Sequence, residues 1–442
     1  MAARVIVAML LSLAAATALA QQSDPTEVDN LQTPLPDPLT LVDAINLSRD
    51  DHPRIERVLA DLSLAESRVS LAEGRFDWNA YLDLDARTVD KILEPGHYFR
   101  DDSRASIFVH KLLLDFGRSR AAIDSEQSRA ESVRYILDYQ RRAHDLDIME
   151  KFFDVYLADQ RFFVDDEDMT LAFLRYDQVR ERRERFEERS RIDELELESV
   201  FRNRRVVRMA SANRQRHARR LLALSMGRPN DVINNVHFSP LDEYNRPVPD
   251  YDELLDEVLE KNPLIVSGRL LLVAAEDTVR QYQLARRPEL SVEFEANEWS
   301  FERGNRDAYV AGLRLLVPLG GDSAHDARIA EAMAEQAKIQ ADIHGLEYEL
   351  REQLLELLQR LDELNFEAEA AAVNETYRDL YLDRSRTLYQ LEVRADLGDS
   401  QARQAEATWR TARVLTERAI TWARIDAMRG IAPVIFSREE TR

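Results

Sequence analysis

A chain that repeats itself without gaps must fold into an object carrying the same repeat, and here a shift of 210 residues lays 41–86 on 251–296. Ala44 and Ile45 fall on Leu254 and Leu255, Pro53 on Pro263, Ile55 on Ile265, and Ala65-Glu66 on Ala275-Glu276. The window ends with Leu82-Asp83-Leu84-Asp85-Ala86 on Val292-Glu293-Phe294-Glu295-Ala296, an apolar and acidic alternation in both copies. With the shift reduced to 203 residues the match resumes, placing Lys111 on Arg314, Leu113-Leu114-Asp115-Phe116-Gly117 on Leu316-Val317-Pro318-Leu319-Gly320, Phe186 on Tyr389, Arg191 on Arg394 and Asp193 on Asp396. The element between these landmarks therefore has equal length in both halves.

Each half reads as a helix, a strand, a polar loop, a second strand and a very long helical stretch. The opening helices, about 39–73 and 250–285, have apolar residues at three and four spacing and a proline that forces a break or bend. The strands, about 79–87, 105–115, 289–297 and 308–318, alternate with period two. Between Gly117 and Gly227 there is neither Pro nor Gly, and apolar residues recur as Met149, Phe152, Phe153 and Tyr156. In the other half the stripe is Leu350, Leu354, Leu357, Leu358 and Leu361. These are coiled-coil-like helices. A helix from near 118 to a turn near 187 is about 100 Å long at the usual rise, too long for a compact domain. The repeat places the hairpin turns around 187–191 and 390–394. The expected organisation is a signal peptide 1–20, an extended segment 21–38, a first repeat 39–227, a Pro- and Asn-rich linker 228–249, a second repeat 250–430 and a tail 431–442.

The first twenty residues have the layout of a cleaved secretory signal: Arg4, the apolar run Val5 to Leu13, and Ala18-Leu19-Ala20 as the cleavage site. That run is shorter than the roughly 18–20 residues needed to cross a bilayer, and no later stretch is apolar enough to do so as a helix. Entry into a membrane would have to be by strands. The chain has no cysteine, which removes disulfides, thiol catalysis and an acylated cysteine anchor. A formal charge of −22 argues against nucleic acid as a partner. The eight histidines are scattered, with no His-Glu-x-x-His, phosphate-cradling loop or nucleophile elbow. No catalytic residue, metal site or cofactor is expected.

Four strands cannot close a membrane barrel, whose smallest forms have about eight, so the strand edges call for further copies. On the first strand of each half Asp83, Asp85, Glu293 and Glu295 share one face, opposite Leu82, Leu84, Val292 and Phe294. In a barrel the charged face lines the lumen, because charge facing lipid costs several kcal/mol, about 2–4 for a basic residue at mid-depth. Lys111 and Arg314, on the second strands, are expected on that same lumen face, offsetting the acids by cross-strand pairing. Trp78, Tyr81, Tyr98, Phe99, Trp299, Phe301 and Tyr309 fit an aromatic girdle at the membrane interfaces.

The order of elements over nearly the whole chain, the duplicated helix-Pro-helix opening with Asn262-Pro263, the strand end Val317-Pro318-Leu319-Gly320-Gly321 and the Tyr-rich second hairpin tip resemble the TolC-like outer membrane efflux family. The resemblance implies a mainly α fold with membrane β: duplicated long coiled-coil hairpins plus four strands per protomer, forming a trimeric α/β-barrel channel. It further implies a homotrimer set in outer-membrane lipid, extending into the periplasm and docked to a periplasmic adaptor and an inner-membrane transporter. The family's periplasmic mouth is held shut by a tyrosine and an arginine bonded to acids, which points to Tyr389 and Arg394 with Asp193 and Asp396 as acceptors. Where the family carries glycine after the tip aromatic, this chain has Arg189 and Glu392. The rival reading is a soluble periplasmic coiled-coil scaffold or adaptor, but adaptors carry one hairpin and Gly-rich strands, whereas this hairpin is duplicated and Gly is scarce. The cargo, whether drug, metal or protein, is left open.

Overall fold

In a computed structural model the described residues are 34–48, 52–90, 99–186, 189–238, 244–300, 307–319, 323–391 and 397–432. The signal peptide and most of the N-terminal segment and C-terminal tail lie outside them. The helices are α1 (Leu41–Asn46), α2 (Pro53–Glu73), α3 (Arg118–Phe186), α4 (Arg191–Ser225), α5 (Tyr251–Lys261), α6 (Pro263–Leu284), α7 (Ser323–Gln390) and α8 (Leu397–Met428). The strands are β1 (Asn79–Asp85), β2 (Thr88–Asp90), β3 (Phe99–Asp101), β4 (Arg104–Leu114), β5 (Glu289–Trp299) and β6 (Tyr309–Leu316).

Helix starts are written locally. Thr40 and Asp43 form a capping box for α1, and Ser190 and Asp193 form another for α4. Both opening helices break before a proline that becomes the first residue of the next helix, where its missing N–H is harmless. Asn262 caps α6, its side-chain oxygen accepting from Leu264 N at 3.0 Å, while its amide donates to Met428 O at 2.9 Å and ties α6 to the end of α8.

The two long helices, α3 with 69 residues and α7 with 68, are the rails on which shorter helices stack. Near its start α3 meets α2 and α6: Arg134 reaches Glu66 at 2.9 Å, Ser125 bonds Ala274 O at 2.8 Å and Ser132 bonds Ser267 at 2.8 Å. Farther along it meets α4 and α8: Arg208 pairs Asp166 at 2.6 Å and Arg424 pairs Glu150 at 2.6 Å. Ile148, Met149, Phe152, Phe153 and Val155 are buried along this stretch. Tyr156 instead stacks on Phe238 of the linker, with ring centroids 4.2 Å apart. Along α7, Leu350, Leu354, Leu358, Leu361 and Leu364 are buried, and Arg360 bonds Glu417 of α8 at 2.7 Å. The linker is pinned too, since Leu39 bridges Val236 and Arg246 pairs Asp426 at 2.5 Å.

The main sheet is antiparallel throughout, in the order β1-β4-β5-β6, so the two halves join through the β4–β5 pair. α2 leads into β1, β4 leads into α3, α6 leads into β5, and β6 leads into α7. The strand order is thus also the helix order α2-α3-α6-α7. The described elements from residue 37 on form one stave four elements wide, sheet at one end and helical hairpins at the other, and among the described residues β1 and β6 are each paired on one side only.

Candidate functional site

Directly paired residues of an antiparallel sheet share a face, so the register sorts every strand residue. One face carries Asp83, Asp85, Arg104, Ser106, His110, Glu293, Glu295, Asn297 and Arg314. The other carries Leu82, Leu84, Ile107, Val109, Val292, Phe294, Ala296, Leu313 and Leu315. A half-open hollow of 840 Å³ lies against the polar face, taken as the concave side, and its lining includes Asn79, Tyr81, His110, Glu293, Glu295 and Arg314. Large apolar side chains on the convex face are exposed, among them Leu84, Leu313, Leu315 and Tyr309.

The acids expected on the polar face stand there. Asp83 is bonded by Arg104 at 3.1 Å, Asp85 by Arg87 at 3.4 Å, and Glu293 by Arg314 at 3.0 Å. Glu295 lies between Phe108 and Val310. Lys111 is a correction: it pairs with Val292 on the apolar face, and its ammonium lies 5.1 Å from the Trp78 ring. A bulge at Leu113 follows Lys111, so counting back from the strand end by twos puts Lys111 on the wrong side. Arg104 takes the expected compensating role, and a sequence search for cross-strand partners of Asp83 would have found it had the β1–β4 register been known. Two girdle aromatics are also corrected. Tyr81 and Trp299 stand on the polar face, Tyr81 stacked on Phe108 at 5.0 Å and Trp299 under Arg104 at 5.4 Å. Tyr98 and Phe301 lie outside the described residues.

At the other end, α3 stops at Phe186 and α4 begins at Arg191, while α7 stops at Gln390 and α8 begins at Leu397. Tyr389 is half exposed in the last turn of α7. Asp193 is engaged in its own helix cap, accepting from Ser190 N at 3.1 Å. Arg394, Asp396 and Glu392 lie outside the described residues. Sequence reading missed Glu194, whose buried carboxylate is ion-paired with Arg183 across the first hairpin and with Arg191 at 2.7 Å. The hydrogen bond from Arg191, reinforced by the charge of Arg183, holds the Glu194 carboxyl below the usual range. Arg175 of α3 bonds Asp399 of α8, tying the two hairpins together near their tips.

At the break between α1 and α2, His52 caps α2 and its ring lies 4.4 Å from that of His144, which is 3 % exposed. Burial, then the neighbouring His52, lowers His144 to about 4. Among the described residues no cluster of three or more His, Asp or Glu is placed to hold a metal ion. No described helix is long and apolar enough to cross a membrane.

No protein-family model matches this sequence, and no curated protein does. Solved structures do. A membrane protein from Pseudomonas aeruginosa superposes with a TM-score of 0.71 at 15% identity, covering 92% of this chain and 94% of its own. The Campylobacter jejuni CmeC outer membrane channel gives 0.72 at 10% identity over 88% and 85%. The open state of the Neisseria gonorrhoeae MtrE outer membrane channel gives 0.70 at 13% over 89% of both chains. Over 88–92% of its length the chain therefore shares the fold of these structures, two of which are outer membrane channels.

Proposed function

We propose that this chain is the protomer of an outer-membrane exit duct and not an enzyme. Copies close edge to edge into a channel that passively conducts cargo delivered by an inner-membrane transporter through a periplasmic adaptor. The observation that carries this reading is the two-faced sheet: concave and charged on one side, convex, apolar and exposed on the other, with β1 and β6 each paired on one side only among the described residues. In water the apolar face has no reason to be so exposed; in lipid it is the favoured outer surface. With four alternating strands, β6 of one copy meets β1 of the next antiparallel, and a closed barrel has no edge left. CmeC and MtrE, which share the fold, are outer membrane channels. A homotrimer would bring three copies of four strands, wide enough for a water-filled lumen. In this reading Asp83, Asp85, Glu293, Glu295, Arg104 and Arg314 face the lumen. Tyr389, Arg394 and Asp396 form the constriction at the periplasmic tips, and Asp193 is occupied as a helix cap.

The natural absence of cysteine makes the test clean. Glu293→Cys is expected to react with a membrane-impermeant thiol reagent in isolated outer membranes, whereas Leu313→Cys is shielded there and reacts after the lipid is removed. Equal labelling of both positions in intact membranes contradicts a lipid-embedded barrel.

A further inference from the structure

The hairpin half of the stave ends in two uncovered helix flanks of opposite charge. Between 202 and 220, α4 carries eight arginines and no acidic residue. Arg204, Arg208 and Arg219 turn inward to α3, pairing with Asp168 at 3.2 Å, Asp166 at 2.6 Å and Asp159 at 2.7 Å. On the far side Arg202, Arg205, Met209, Asn213, Arg216 and Arg220 recur at three and four spacing, all exposed. Arg205 and Arg220 have no ion-pair partner among the described residues. The opposite edge is α7, where 361–383 hold seven acids against the single Arg378. Its flank away from α8 reads Asp362, Phe366, Glu369, Val373, Tyr377 and Leu380, with Phe366 74% and Val373 72% exposed. Asp362 and Glu369 likewise lack an ion-pair partner among the described residues.

The two flanks are in register. Arg204 stands level with Asp168 of α3. The α3–α8 pairs Glu150–Arg424 and Arg175–Asp399 carry that level to about residue 406 of α8. Gln404–Asp379 and Thr408–Glu375 carry it on to α7. Along this ladder Met209 is level with the residue before Val373, Arg220 with the residue before Asp362, and Arg216 lies about one helical turn, ~6 Å, from Glu369. Rotation about an axis along the helices keeps every level.

We infer that the α4 flank of one copy docks on the α7 flank of the next, Met209 seated between Val373 and Tyr377 and Arg216 and Arg220 meeting Glu369 and Asp362. The inference rests on the closed assembly proposed above and names the residues that close its helical part. The charge also dictates handedness of contact. Basic flank against basic flank, or acidic against acidic, repels, so a two-fold dimer is disfavoured and the head-to-tail contact that generates rings is favoured. The same side of the stave carries β1 with α4 and the opposite side β6 with α7, so helices and sheet close together.

The test uses the full chain in isolated outer membranes. Met209→Cys is combined in turn with Val373→Cys and with Tyr377→Cys, oxidised, and run unreduced on a denaturing gel. Covalent oligomers from at least one pair are expected. In the cysteine pair that cross-links, Glu369→Arg cuts the yield by about fivefold or more, and adding Arg216→Glu restores it. Oligomers that persist by sizing while neither pair cross-links overturn this interface and leave the channel reading standing. A yield that the charge swap does not restore overturns the pairing of Arg216 with Glu369. A chain that forms no oligomer in the membrane overturns both proposals.

Discussion

Arg104 takes the compensating role that the sequence suggests for Lys111, and the difference is informative about what a single residue can reveal. The alternation of β1 and β5 made Asp83, Asp85, Glu293 and Glu295 legible as one face, because period two is intrinsic to a strand. Which cations answer them depends on inter-strand register and on one bulge, neither of which is written locally. In the structure Lys111 is at the helix-proximal end of β4 beside Trp78; in the proposed barrel its stem would lie along the apolar layer and its ammonium would reach the headgroups. With acids outnumbering Arg104 and Arg314 on the concave face, the open channel is expected to prefer cations. Replacing Glu293 and Glu295 together by lysine should move the reversal potential in a salt gradient toward anion preference. His144 gives a second residue-scale prediction. The unfolded chain takes up a proton near 6.5 and the folded chain only near about 4, so between those values the unfolded state binds more protons. Stability is therefore lost as pH falls through that window. Thermal unfolding at pH 7 and pH 5 should show a smaller difference in His144→Leu than in the parent. No sequence pattern announced the His52–His144 contact, since one residue caps α2 and the other lies within α3, and neither belongs to a motif.

At the scale of elements, the repeat gave a place for the helix breaks, the first with no glycine or proline to mark it; α3 ends at Phe186 and α4 begins at Arg191, and α7 ends at Gln390 and α8 begins at Leu397. The helix-Pro-helix breaks were equally plain, because proline cannot continue a helix and suits its first turn. What a one-dimensional reading could not supply was that α3 touches neighbours on both sides, which spreads its apolar residues beyond one stripe. Removing the cap in Asn262→Ala frees two backbone N–H groups and unties Met428, and should lower stability by about 1–2 kcal/mol in denaturant unfolding. Leu354, fully buried between α7 and its partners, should cost about 2–5 kcal/mol as Leu354→Ala. The sheet offers a sharper contrast at adjacent positions. In the proposed barrel an arginine at Leu313 would face lipid and cost about 2–4 kcal/mol at mid-depth, whereas arginine at Gly312 enters open space on the polar side. Recovery of Leu313→Arg in the outer membrane should fall, and that of Gly312→Arg should not.

Across the whole molecule the matched order of strands and helices makes one chain an incomplete object. Each half of the repeat contributes a pair of strands and a helical hairpin, the halves join at β4–β5, and among the described residues β1 and β6 still have one unpaired edge each. The sequence could be read as far as that need, because unpaired edges and exposed apolar flanks are costly wherever they occur. The number of copies follows from curvature and tilt accumulated over many strands and helices, which no local pattern encodes. The central claim is that copies of this chain close into a ring in the outer membrane. Its most direct test is membrane fractionation of cells expressing the chain, followed by sizing of the unheated, detergent-extracted protein. The account predicts outer-membrane recovery and a species near three times the protomer mass; a soluble monomer in the periplasm would contradict it.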